Sequence, residues 1–430
     1  MISSIVKIKK NFKNQLSELN FFYLGIFLLP SAPSISSIVL FFTAISASFK
    51  NKNYFKDKYN FYFIVSGILI ILSSIINTFL REEIYRDTYN FNLIWIGLSN
   101  WLPYFWVFWV FQKFNFNQNL RRKFCFVLIA GSIPIIITGF LQYFLEFHGP
   151  FALFNGLITW YSREIDPMDG MTGLFNNANY LGIWLNIVWP FVLALFIETK
   201  EKPKRRIVSI ILLISIFICT LLTFSRNAWL GMLLGTVLTL GLKSLKWIIP
   251  FLVLIVIPIL LGIGFIPDNN FINFGQRIVP EIILHQFNYQ DLANINSFPR
   301  IQIWTSAINY IAQKPLIGWG AGSFPALFEI NNNYIFFGHT HNLPLEISLS
   351  FGIPVAILII FSIIFLIIKS RYKAFKINYK LRRISYDKAW WISTVLIFTS
   401  HMFDIQYFDI RIGLTFWILL GGLTNIIREE

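Results

Sequence analysis

The feature that most limits what this chain can fold into is a succession of apolar runs, each close to the length a lipid bilayer demands. A helix needs about 20 such residues to cross a hydrocarbon core of roughly 30 Å. Runs near residues 61–80, 91–111, 124–145, 174–197, 207–224, 227–242, 247–266, 343–368, 389–403 and 410–427 meet or approach that length. Residues 20–49 hold two shorter ones, broken around Pro30, Ser31 and Pro33. The expectation is an all-α polytopic membrane protein with about twelve transmembrane helices. Composition agrees, because 56 % hydrophobic and only 13 % charged residues over 430 lie outside the soluble range.

A net charge of +15 would suggest a nucleic-acid partner in a soluble domain. Here most of the 36 lysines and arginines fall in short segments on one side of the expected spans, chiefly residues 50–58, 113–123, 200–206 and 369–388. Positive loops mark the cytoplasmic side. The charge is therefore read as topology, with both termini cytoplasmic, an even number of spans and no nucleic-acid partner. The basic start (Lys7, Lys9, Lys10, Lys13) leads into an apolar run near Phe21 without a convincing small-residue cleavage site, so no cleavable signal is expected. Cys125 and Cys219 sit far apart in apolar segments and suggest neither a disulfide framework nor a thiolate metal site.

The spans divide the chain into a first part of the bundle (1–266), one large external loop (267–341) and a last part of the bundle (342–430). A loop of that length implies structure or function of its own. Within it, PRIQIWTSAINYIAQ (299–313) has Ile301, Trp304, Ile308 and Ile311 at helical spacing. Ser297 or Phe298 precedes a proline suited to the first turn, and Lys314-Pro315 closes the segment. An amphipathic helix is expected, packed on the membrane surface or on the bundle. Gly318-x-Gly320-x-Gly322 lacks a preceding strand and the spacing of a nucleotide loop, and reads as a flexible turn.

With this topology the spans starting near 174, 227 and 343 direct their N-termini outward. Those starts carry Asn176-Asn177-Ala178-Asn179, Ser225-Arg226-Asn227 and His339-Thr340-His341-Asn342. Free N–H groups and the helix dipole make such ends anion sites, and arginine adds bidentate phosphate contacts. Asn227 and Asn342 are equally read as ordinary helix caps. Arg226 lies in a tight hairpin between apolar spans, where a charge either meets an anion or a wet cavity, or snorkels to the interface. Arg300 is either a solvated surface residue or a second anion contact. His341 is the candidate general base, since an imidazole titrates near neutrality. His339-x-His341 also offers two metal-ligating nitrogens, but no third ligand stands at a recognised spacing, and no metal is assigned.

Taken together, these motifs resemble the O-antigen ligase and O-antigen polymerase superfamily of bacterial polytopic membrane glycosyltransferases, over about residues 173–354. TGLFNNANYLG resembles the family's Gly-Phe-x-Asn-x-Asn entrance, TFSRNAWLG its Ser-Arg hairpin, and RIQIWTSAINYIAQKPLIGWGAGSF its Arg…Trp…Pro-x-x-Gly-x-Gly loop. His341-Asn342, nine residues and then Gly352 is similar to the ligase signature, which continues with a further glycine where this chain has Val355.

The resemblance implies glycan transfer from a polyprenyl (undecaprenyl) diphosphate carrier to a hydroxyl of lipid A-core or another glycan acceptor, as in lipopolysaccharide biosynthesis. It places the reaction at the periplasmic face of the bacterial inner membrane, with no metal or nucleotide cofactor and with membrane lipids as surroundings. It makes His341 the activating base, Arg226 and Arg300 the diphosphate ligands, and Asn342, His339, Asn179 and Ser225 supporting residues. A polymerase, a protein glycosylation enzyme, or a transporter of a small anion or sugar are the alternatives. Against transport, no charged residue lies clearly at mid-span and no paired broken helices recur in two halves.

Overall fold

A computed structural model describes residues 17–50, 53–80, 89–165, 169–285, 287, 299–331, 337–376 and 386–429. Lys7 to Lys13, Ser297, Phe298 and part of the 369–388 loop lie outside the described residues. The protein is an all-α bundle, with one short hairpin pairing Phe151–Leu153 with Ile158–Trp160. Helix α1 is Ser17–Leu28 and α2 Pro33–Lys50; α3 is Phe61–Leu80, and α4 the run of short helical turns Asn92–Phe114. Next come α5 (Gln118–Leu145), α6 (Ala178–Glu198), α7 (Pro203–Leu222), α8 (Arg226–Leu240) and α9 (Leu245–Gly262). The large loop holds α10 (Asn269–Ile278), α11 (Glu281–His285), α12 (Pro299–Gln313) and α13 (Phe324–Asn331). Last are α14 (Leu343–Phe351), α15 (Ile353–Ala374), α16 (Tyr386–Ser400) and α17 (Ile410–Arg428).

Among the described residues nine helices are long and apolar enough to cross a membrane. The remaining three segments expected to span, α1, α8 and α16, form shorter helices. The expected span 343–368 is not continuous. It breaks at Gly352, whose φ of 94° is foreign to a helix, and Pro354 then opens α15 without needing an N–H partner. A side chain at 352 would meet the Leu316 carbonyl at 2.1 Å, so the break is where the 314–322 segment docks.

That docking corrects the reading of 318–322 as a flexible turn. Trp319 N–H donates to Leu349 O (2.7 Å), Gly320 N–H to Ser350 O (3.0 Å) and Ile353 N–H to Pro315 O (2.8 Å), while Ser73 Oγ donates to Ile317 O (2.6 Å). The backbone groups freed by the helix break are thereby satisfied inside the protein, as a low-dielectric surrounding requires.

Helix α12 forms as expected, but its buried face is Ile303, Ala307, Tyr310 and Ile311, with Ile308 exposed. The stripe read from the sequence weighed only large apolar residues. The packed face instead uses the small Ala307 for close contact and Tyr310, whose hydroxyl donates to Leu327 O at 2.8 Å.

The inner helices α6, α16 and α17 bury most of their side chains. At the bundle end opposite the cavity described below, Arg121 is fully buried and bonds Asp387 Oδ1 (2.7 Å), Asp387 Oδ2 (3.0 Å) and Glu429 Oε1 (2.7 Å). Removing one partner of such a pair leaves an uncompensated charge, at a cost of about 3–5 kcal/mol. Arg121→Ala is expected to lower the unfolding free energy in detergent by that margin, with Arg121→Met/Asp387→Leu recovering most of it. Equal loss in the single and double variants would show that the charge pairing is not what matters there.

Candidate functional site

Helix α8 begins at Arg226, capped by Ser225, whose Oγ accepts the Ala228 N–H at 3.3 Å. Its approach to α6 is very close. A Cβ added at Gly182 would stand 2.5 Å from that of Ala228, and Asn186 Nδ2 donates to Ala228 O at 3.1 Å. Small residues at such crossings let helices meet where no hydrophobic drive exists between them.

His341 occupies a left-handed backbone conformation (φ 52°), which costs a non-glycine residue about 1–2 kcal/mol. Strain of this kind persists only where the surroundings fix it, and here they do. Glu346, buried in the first turn of α14, accepts the Thr340 N–H at 3.0 Å, and Trp304 Nε1 donates to Thr340 O at 3.1 Å. Asn342 caps α14 by accepting the Leu345 N–H (3.0 Å), and its Nδ2 donates to Met402 O (2.9 Å). The His341 N–H donates to His339 Nδ1 at 3.1 Å.

The imidazole itself is held by Asp404, with Nδ1 and Oδ1 at 2.8 Å. Asp404 is nearly fully buried and also accepts from Ile405 N–H (3.0 Å) and Gln406 Nε2 (3.2 Å). Burial alone would raise the Asp404 carboxyl, but the His341 hydrogen bond, with the charges of His341, His339 and Arg300, holds it below the usual carboxylate range. A depressed carboxyl contributes stability above its unfolded pKa and loses it only as pH falls through the folded value, so the pair survives into the acid range. Burial, and then His341, push the His339 imidazole down to about 4, against the pull of Asp404.

A relay of side chains continues from Asp404 to α8. Ser400 Oγ donates to Gln406 Oε1 (3.1 Å), and Asn227 Nδ2 donates to Ser400 Oγ (2.7 Å). Asn227, expected to be only a cap, therefore ties the first turn of α8 to the carboxylate behind His341.

Arg226, Arg300 and His341 line one cavity of about 470 Å³. Arg300 comes from the first turn of α12, one turn before Trp304, whose bond to the 339–342 turn sets that helix beside His341. The far wall is apolar: Leu230 and Leu234 follow Arg226 down α8, and Leu396 faces them from α16. Leu230 is largely exposed. From Arg226 to Leu234 the cavity follows the helix for about 12 Å.

Of the supporting residues, His339 lies against His341 with ring centroids 4.1 Å apart, and Ser225 and Asn342 serve as caps. Asn179 sits half-buried in the first turn of α6 and is not among the cavity-lining residues. Asp404, Gln406 and Ser400 escaped the sequence reading; the only signal was a pair of aspartates, Asp404 and Asp409, in a short loop between two apolar spans. Arg411 is another cation on a helix start, but it bonds Asp409 (2.8 Å), donates to Leu174 O (3.2 Å) and stacks on Phe175 at 3.6 Å, which anchors the entrance to α6.

Fold and site define a polytopic membrane protein in which one cavity joins two arginines, an oriented imidazole and an apolar wall. Residues 210–360 match the family model described as O-antigen ligase, a match that supports the resemblance of this region to the O-antigen ligase and polymerase superfamily. Arg226, Arg300 and His341 fall inside the match, whereas Asp404 and Ser400 lie beyond it. No curated protein matches the chain.

Two guanidinium groups at a helix N-terminus suit a doubly charged anion, each charged hydrogen bond contributing about 1.5–3 kcal/mol. Titrating purified protein with inorganic pyrophosphate is expected to give saturable binding, weakened about 10-fold or more by Arg226→Gln and by Arg300→Gln. Unaltered isotherms in both variants would remove the arginines from any anion site.

Proposed function

We propose that this protein transfers a glycan from a polyprenyl-diphosphate carrier to an acceptor hydroxyl at the periplasmic face of the bacterial inner membrane. The observation that carries the reading is the meeting of Arg226, Arg300 and the Asp404-held His341 in one cavity with an apolar wall.

With Nδ1–H given to Asp404, the His341 Nε2 lone pair is left to take the acceptor's proton. The acceptor oxygen then bonds the anomeric carbon as the bond to the diphosphate breaks, and the diphosphate departs with the electron pair. Arg226 and Arg300 hold the charge that develops there, a term that acts on the transition state more than on the ground state. Asp404 stabilises the imidazolium that forms, and the Leu230 and Leu234 wall takes the first isoprene units of the carrier. Neither the base nor the anion site calls on a metal or nucleotide.

Orientation follows the positive loops, with both termini cytoplasmic and the cavity at the opposite surface. The acceptor is lipid A-core or a comparable glycan. A polymerase would use the same residues with a second lipid-linked repeat as acceptor, and the departure from the ligase signature at Val355 bears on that choice. A deletion strain separates them: bare core with polymer left on its carrier marks a ligase, core bearing one repeat a polymerase.

In a reconstituted assay with a lipid-linked oligosaccharide, His341→Ala is expected to reduce turnover by about 10²–10⁴-fold, the usual range for a general base. Turnover close to wild type in that variant would exclude the histidine from the chemistry. Asp404→Asn is expected to lower kcat more than it raises KM. Equal changes in both parameters, or none, would make Asp404 purely structural.

A further inference from the structure

One ring nitrogen each of His339 and His341 and one Asp404 oxygen lie within 4.8 Å of one another. The sequence offered only the two histidines; the fold brings the third donor from 63 residues further along the chain. We infer that these three side chains form a binding site for a divalent transition-metal ion of the zinc type, and that its occupancy disables the base.

Two imidazoles and a carboxylate are a zinc donor set, with bonds of about 2.0–2.2 Å and a fourth position left to water. Donors in such a tetrahedron stand about 3.4 Å apart. His341 Nδ1 and Asp404 Oδ1 are already at 2.8 Å, so small side-chain rotations of His339 and His341 complete the set. The carboxylate is fixed by Ile405 N–H and Gln406 Nε2, the kind of outer support that holds metal ligands in place. Because His341 lines the cavity, an ion can arrive from it.

Coordination through Nδ1 replaces the His341–Asp404 hydrogen bond by bonds to the metal and carries a further local cost. The His341 N–H now donates to His339 Nδ1. That bond is lost whether the metal takes Nδ1 or takes Nε2 and moves the ring proton to Nδ1, which weakens affinity by roughly tenfold.

The effect on His341 follows from proton bookkeeping. Its Nδ1 proton, shared with Asp404, is replaced by the metal and reappears on Nε2. No proton is released overall, yet the nitrogen that would accept the acceptor's proton is filled. This inhibitory half rests on the glycosyl-transfer reading above; the binding half rests on geometry alone.

The test uses the full-length, tag-free protein in lipid nanodiscs. Zinc is titrated calorimetrically, cobalt is followed by its visible absorption, and transfer is measured in parallel. One zinc per protein is expected, with affinity reduced tenfold or more in His339→Ala and in Asp404→Asn and unchanged in the remote His148→Ala. Melting temperatures near wild type establish that the variants are folded. Transfer should fall over the same zinc range as binding and return with a chelator, and the inhibition curve of His339→Ala should shift by the same factor as its isotherm. Equal zinc affinity in wild type, His339→Ala and Asp404→Asn would overturn the site, and full turnover at saturating zinc would overturn the switch. If metal-free wild type fails to transfer glycan, the glycan reading falls while the isotherms still decide the metal site.

Discussion

Where hydrocarbon replaces water, a polar group must find its partner inside the protein, and the candidate site exists because its loops meet that demand together. The Asp404 carboxylate is the hub. Nearly fully buried, it draws its neutralising contacts from its own loop, from Gln406 and from His341. An isolated buried carboxylate would take up a proton instead. The loop between α16 and α17 is thus folded around a charge, and the histidine is oriented as a result.

The same requirement shapes the break between α14 and α15. Ending α14 at Phe351 exposes carbonyls that lipid cannot satisfy, and the 314–322 segment of the large loop supplies their N–H partners. Through that exchange the large loop is fastened to the bundle. Helix α12 is in turn fastened to the 339–342 turn by Trp304. Arg300 owes its position in the cavity to this second contact, because nothing in its local sequence points it there.

Much of this was legible in the sequence and some was not, for identifiable reasons. Apolar run length locates the helices, since the bilayer fixes how long they must be. The polar clusters at 225–227 and 339–342 are visible because they interrupt long hydrophobic stretches. The break at Gly352 is masked by the apolar residues on either side of it, Phe351 and Ile353, and only glycine followed by Pro354 hints at it. The buried face of α12 differs from its most hydrophobic stripe because close packing favours Ala307 over Ile308. The pairing of Asp404 with His341 was out of reach, because contact across 63 residues is a property of tertiary structure and leaves no local spacing to read.

The relay from Asn227 through Ser400 and Gln406 to Asp404 has a mechanical meaning. The helix start that presents Arg226 and the ring of His341 share a single frame of reference, four hydrogen bonds long. Neither end can drift by the length of an atom without straining the other. Distance between the cationic side of the cavity and its imidazole is therefore gauged internally, by the protein's own amides and hydroxyls, before any ligand arrives.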